Sequence, residues 1–384
     1  MTYDLMLSGG HVIDPANARD GLMDVAVKDG RVAAVGPDLP GEAAKTVSVD
    51  GLYVAPGLID IHVHVYGGYA GWMFPDVHAF TSGVTTVVDT GGPGWKSFED
   101  FKTTIIDRSK ARVLSLLNIV APGMLGAVEQ DVSEMQAEPC AEMIRAYPDI
   151  IVGSKTAHFA GPGWEAVDGA LRAAELSDTV AMIDFWPRPT RTYPELLARM
   201  RPGDIHTHVY AQHVPVLDDE KRVQDYMWEA RERGVVLDLG HGAGSFWWRM
   251  AIPAMQQGFP PDTISTDLHQ NSALIPNANM ITTMSKCLNM DMPLPEVIRR
   301  STVTPAAAIR RPELGSLTIG AEADIAVLDV RHGDFGFVDS GHARHRGDRR
   351  LECMMTVRSG EIVWDVNGMS WPDWEDAGEY AVIR

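Results

Sequence analysis

Apolar and polar positions follow two different patterns along this chain. From Asp4 to Asp14 an apolar run, a Gly9-Gly10 pair and a second apolar run predict two short strands joined by a turn. Asp24–Gly36 reads as a hairpin, its Asp29-Gly30 pair suited to a type I′ turn, which needs positive φ at both central positions. The pattern returns at the far end, where Ala323–Val330 predicts a strand and Met355–Asp365 another hairpin. Each end alone is too small to bury a core. One small β-sandwich domain built from residues 1–55 and 310–384 is therefore expected, with two unrelated β appendages as the alternative.

The middle is patterned differently. Strand-like apolar runs end near His64, Asp89, Val120, Lys155, Phe185, Ala211, Gly240 and His269. Between them lie segments of helical periodicity: Trp95–Lys110, Val128–Tyr147, Trp164–Leu176, Asp219–Arg233 and Phe246–Gln257. Eight strands alternating with helices over residues 56–309 predict an α/β fold, a (β/α)8 TIM barrel. An open doubly wound sheet competes, but the reactive residues end several different strands, which is how a barrel gathers a site.

Composition narrows the partners. The chain has 384 residues and is 45% hydrophobic, enough for one barrel with a small appendage. Its 33 basic and 52 acidic side chains give a net charge of -19, a field that repels nucleic acid and anionic membrane. A small-molecule substrate remains, an anionic one included, because a metal site and a few arginines reverse the sign locally. Cys140, Cys287 and Cys353 are far apart without C-x-x-C spacing and suit a reducing compartment. Met1–Gly10 lacks the features of a targeting segment, and no apolar run reaches the roughly 18 residues of a membrane span. A cytoplasmic homo-oligomer is the expectation.

Candidate chemistry begins where Tyr53–His64 runs through a Pro56-Gly57 turn into a strand. His62 and His64 stand two apart and share one strand face, half of a tetrahedral zinc site. A pair of satisfied core histidines is the plainer reading; the apolar strand before them and Gly67-Gly68 after them favour ligands. The segment Ile150–Lys155 ends a buried strand on an ammonium, which must be paired, neutral or modified there.

Pro56-Gly57-Leu58-Ile59-Asp60-Ile61-His62-Val63-His64 resembles the signature of the amidohydrolase superfamily, whose members include dihydroorotases, hydantoinases and deacetylases. Gly234–Phe246, Ile264–Asp267 and Ser301–Ala306 resemble its dihydroorotase-like deacetylase branch. The resemblance implies two divalent metals, zinc with manganese as the alternative, and a CO2-derived carbamate on Lys155 between them. It implies His208 as a ligand and Asp267 as both ligand and general base. A lysine reaching solvent and a helix-capping aspartate are the structural alternatives. The chain departs from the pattern at Asp184, where relatives carry histidine. Asp184 either ligates, as a harder donor suited to Mn²⁺, or orients a neighbouring ligand. His206 is expected on the same face as His208, in a core or supporting role, and His213 in the following loop.

Five residues are candidate substrate contacts: His158, His241, His269, Arg188 and Arg191, the arginines as a bidentate carboxylate clamp. Arg344–Arg350 reads as a solvated face, and Trp371–Glu375 as a docking tail. Together these features predict a metallohydrolase of amide or ester bonds, acting on an N-acyl amino acid or O-acyl hydroxy acid. Ring opening of a cyclic amide is the alternative enzyme reading. A non-catalytic scaffold is a third, although it predicts more lost ligands than the one altered here.

Overall fold

The computed structural model describes residues 2–67 and 73–379, so Gly68 of the Gly67-Gly68 pair lies outside the described residues. Strand β1 (Thr2–Asp14) runs straight through the predicted Gly9-Gly10 turn. It pairs antiparallel with β2 (Arg19–Lys28), which turns into β3 (Arg31–Gly36) through Asp29 and Gly30, both at positive φ as a type I′ turn requires. The other edge of β1 is shared. Thr2–Ser8 pairs with β4 (Glu42–Ser48), and His11–Val12 with β5 (Tyr53–Pro56). The glycine pair marks a register shift near this handover, and a Cβ on Gly10 would lie 2.6 Å from a Val54 methyl. A bulge and a close approach, rather than a turn, demand the glycines.

Seven parallel strands then follow in strict spatial order: β6 (Leu58–Val63), β7 (Val84–Gly94), β8 (Arg112–Asn118), β9 (Ile151–Thr156), β10 (Val180–Ile183), β11 (Ile205–His206) and β12 (Val236–Leu237). The expected eighth strand is the segment 263–268. It joins both open edges through single parallel bridges, Asp238 to Thr263 and Val63 to Leu268, rather than a regular ladder. Its backbone bonds to Leu239, His241 and His64 complete the ring. Ile59, Ile61, Val88, Leu116, Met182 and Ile205 fill the ring together with Ala306 and Ile309.

Of the predicted helical segments Trp164–Leu176 forms almost whole, and the others are shorter than their periodicity suggested. The surrounding helices are α1 (Pro75–Phe80), α2 (Phe98–Thr104), α3 (Ala137–Ala146), α4 (Glu165–Leu176), α5 (Tyr193–Arg199), α6 (Asp225–Glu232), α7 (Trp248–Gln256), α8 (Met280–Leu288), α9 (Leu294–Arg299) and α10 (Val303–Ala308). Val128–Tyr147 divides because the Asp131 carboxylate accepts the Ser133 amide at 2.9 Å, a local bond that competes with helix continuation. A bridge between Leu217 and Val223 likewise delays α6. Among the described residues no helix is long and apolar enough to cross a membrane.

The chain returns to the first sheet with β13 (Ile325–Val338), β14 (Arg344–Arg358) and β15 (Glu361–Asp365). Ile325 to Leu328 of β13 pair with β5, so the expected sandwich is one connected eight-stranded sheet drawn from both ends. It encloses its own apolar cluster, including Leu7, Val25, Val54, Val327 and Met355. The basic stretch of β14 is exposed at Arg344, Arg346 and Arg350, while Arg349 turns to donate to the Leu288 carbonyl at 2.5 Å. Trp371 and Trp374 are 70% and 76% exposed, with the Lys45 amine 4.5 Å above the Trp371 ring.

Candidate metal centre

The ends of the barrel strands bring six of the predicted residues into one buried cluster. A register irregularity spans Asp60 to Val63, and within it Ile61 still faces the interior cluster. His62 donates from Nδ1 to Thr207 Oγ1 at 2.9 Å, because that hydroxyl already gives its proton to Asp238 at 2.7 Å. Asp238 is fully buried and accepts from Thr263 and Ser265 as well. The tautomer is thereby set, and the His62 Nε2 lone pair is left facing Asp267 at 3.6 Å. His208 is oriented the same way, its Nδ1 donating to the Gly240 carbonyl at 2.7 Å and its Nε2 standing 3.6 Å from Asp184. His64 Nε2 lies 2.9 Å from Asp267.

One donor atom from each of His62, His208 and Asp267 falls within 4.8 Å of the others, a spacing that suits a single divalent cation. Beside them Lys155 is 1% exposed, and its Nζ has no hydrogen-bond partner among the described residues. Burial pushes this amine below its ordinary range, against the pull of Asp184, Asp267 and Asp238. Burial alone would raise Asp267, but the hydrogen bond from His64 and the surrounding imidazoles hold it below the usual carboxylate range. Asp184 is likewise driven down despite burial, chiefly by His208 and then Lys155.

Glycines let the backbone approach these groups. A Cβ on Gly240, at φ +51°, would lie 2.3 Å from Thr207 Oγ1, and one on Gly242, at φ +52°, would lie 2.2 Å from Asp267 Oδ2. A Cβ on Gly91 would meet the Lys155 side chain at 2.8 Å.

The candidate substrate residues divide. His158 is partly exposed, with Nδ1 3.0 Å from the buried Glu129 carboxylate. Burial lowers its basicity, but Glu129 and Asp184 outweigh that and leave it above the ordinary imidazole range. His269 is half-buried, its ring 6.1 Å from that of His64. Arg188 sits in a tight bridge with Arg191. Three expectations need correction. Arg191 is 1% exposed, donates to the carbonyls of Phe159 and Trp186, and lies against the Phe159 and Phe185 rings, so it braces a loop instead of clamping a carboxylate. His241 turns inward, with Nε2 2.5 Å from Lys286 Nζ; the glycines on either side of it are what line the cluster. His206 does not share a face with His208, because His208 at φ +65° breaks the strand alternation. Its ring packs 5.3 Å from Tyr193 instead, and burial pushes its pKa down to about 4.

Several contributors carry no local signature in the sequence. Thr207 and Asp238 set the His62 tautomer. Asp89 accepts the amides of Val65, Tyr66 and Gly92 and so shapes the turn after the histidine pair. Asp60 ties β6 to Thr266 in the closing segment at 2.6 Å.

Comparison with known proteins adds a name to this arrangement. The amidohydrolase family model matches residues 248–363. A deacetylase from Brucella anthropi is 31% identical over 361 residues, 90% of this chain and 88% of that protein. A solved structure described as an adenine deaminase superposes with a TM-score of 0.88 at 28% identity, covering 94% of this chain and 100% of the other. A dihydroorotase structure reaches 0.84 at 29% identity, covering 94% and 99%. The names of these proteins give three different activities.

Proposed function

We propose, for a chain that belongs to the amidohydrolase superfamily, that it deacylates an N-acyl amino acid or an O-acyl hydroxy acid by metal-assisted hydrolysis. The observation that carries this reading is Lys155, a buried amine without a hydrogen-bond partner among the described residues, set among imidazoles and carboxylates. A deprotonated amine is the form that adds to CO2, losing a proton to become a carbamate, and a carbamate is a bidentate oxygen donor. In this reading His62, His64, His208, Asp184 and Asp267 would hold the two divalent ions between them, with the converging donors of His62, His208 and Asp267 as the centre of the group. Lys155, as its carbamate, would add oxygen donors to the same group. Zinc fits the imidazole donors, and the aspartate at position 184 shifts that site toward manganese. Bound there, the ions would polarise the acyl carbonyl and acidify water.

The protein's own residues supply the rest. Asp267 is ionised and nine-tenths buried, suited to take a proton from the attacking water and return it to the departing amine or alcohol. Thr207 and Gly240 keep the histidine lone pairs aimed inward. His158, His269 and Arg188 are the groups left to meet an anionic substrate.

The likeness to a dihydroorotase favours a second reading, opening of a cyclic amide. Metal analysis with a panel of N-acetyl amino acids, O-acetyl hydroxy acids, hydantoins and dihydropyrimidines separates the two. About two equivalents of divalent metal and chelator-sensitive turnover of the acylated acids are expected. Turnover confined to the cyclic amides would transfer the assignment, and metal-replete protein inert on the whole panel would overturn both.

A further inference from the structure

Helix α8 carries a lysine with no place in the chemistry above. Lys286 is 0% exposed; its Nζ lies 2.5 Å from His241 Nε2 and donates to the Val338 carbonyl at 2.7 Å. It also stands 5.3 Å from the centroid of the Phe246 ring, on which His241 is stacked. His241 Nδ1 donates to the carbonyl of Gly242 at 2.9 Å, so its Nε2 holds the lone pair that receives the lysine proton. Gly242 in turn donates to the Thr266 carbonyl at 2.8 Å. Its Cα lies so close to Asp267 that an added methyl would come within 2.2 Å of Oδ2.

We infer that Lys286 and His241 are positioning residues for Asp267, acting through the backbone of Gly242, an inference that rests on the reading of Asp267 as ligand and base. The lysine fixes the His241 tautomer, the imidazole pins the Gly242 carbonyl, and the glycine backbone is the wall that orients the carboxylate. An apolar side chain would fill the Lys286 position without desolvating an amine, but it would leave His241 Nε2 without a donor. Because Val338 ends β13, the terminal sheet takes part in placing a group at the mouth of the barrel.

Lys286→Met removes the donor at similar length. His241→Leu removes both links, whereas His241→Asn keeps an amide donor near the Nδ1 position. Each variant would be compared with the unaltered protein by cobalt(II) titration, steady-state kinetics, melting temperature and crystallography. Lys286→Met and His241→Leu should bind cobalt at unchanged stoichiometry but with a shifted visible spectrum. Their kcat should fall by about tenfold or more with little change in KM, as small misplacements of reacting groups do. The 2.9 Å separation of His64 Nε2 and Asp267 Oδ1 should lengthen, and His241→Asn should recover most of the loss. An unchanged spectrum, kcat and carboxylate position would overturn the inference, as would His241→Asn falling as far as His241→Leu. Should His241→Leu fail to fold, Lys286→Met against His241→Asn decides on the same readouts. Absence of cobalt binding by the unaltered protein would instead sink the metal reading, and the crystallographic carboxylate position would still decide this one.

Discussion

A carboxylate that takes a proton from water must be ionised beforehand, and Asp267 is kept so by His64 and its neighbours despite burial. Asp267→Asn preserves shape while removing the basic oxygen, so turnover should fall by roughly 10²–10⁴-fold, the usual weight of general acid–base catalysis. Metal content measured on the same sample separates base loss from ligand loss. A metal-replete variant within about tenfold of the parent would hand the role to another group. Lys155 makes a spectroscopic prediction: ¹³C-bicarbonate should give a carbamate carbonyl resonance that Lys155→Met lacks, and identical spectra would rule the modification out. The residues legible in the sequence are those whose meaning is local, the His62-His64 pair and a lysine closing an apolar strand. Thr207 and Asp238 were not legible, because their role exists only once the barrel closes and brings the end of β11 across from β6, placing Thr207 against a histidine 145 positions away. Arg191 misled for the complementary reason: loop composition gave no sign that Phe159 and Phe185 would enclose it.

Strands and helices were legible to different degrees. Apolar runs located most strand ends, because a strand buried on both faces is apolar along its whole length, although β7 runs past Asp89 to Gly94 and β11 stops at His206, short of Ala211. The eighth reduces to single bridges where Thr263, Ser265 and Thr266 spend their side chains on Asp238 and Asp60. Outside Glu165–Leu176 helical periodicity overshot, since apolar spacing persists into 3₁₀ turns such as Ile106–Arg108, whose Ile106 packs on the same core. Just beyond β10, Asp184 stands where the family resemblance implies a histidine, and it reaches within 3.6 Å of His208 Nε2. Asp184→His should therefore retain metal and measurable turnover. Loss of both would mean that the end of β10 is shaped around a carboxylate and the exchange of donors is not a simple one.

The molecule joins its two sheets through charge. Arg112 on β8 and Arg358 on β14 both engage Glu322 and Asp324, and Ser359 donates to Glu322 as well. Burial would raise Glu322, but Ser359 and the two arginines bring it down to about 2. A depressed carboxylate adds stability that is present above its unfolded pKa of about 4.5 and is lost as pH falls toward 2. Glu322→Gln should lower the melting temperature modestly near neutrality, by an amount limited by solvent screening of a half-exposed group. It should also flatten the decline between pH 4.5 and 2; parallel melting curves for parent and variant across that window would remove the junction from the account. The pairing of β5 with β13 sets a timetable for biosynthesis. Pro56 must wait for Ile325, and at a ribosomal pace of about 5–20 residues per second that interval is on the order of 15–50 s. Through that interval the β5 edge has only its short contact with β1, and the whole barrel can emerge and close before its neighbour exists. Nascent chains stalled before residue 325 should accordingly yield a protease-resistant barrel with a cleavable leading segment, and protection of both together would show that the first strands settle without their partner.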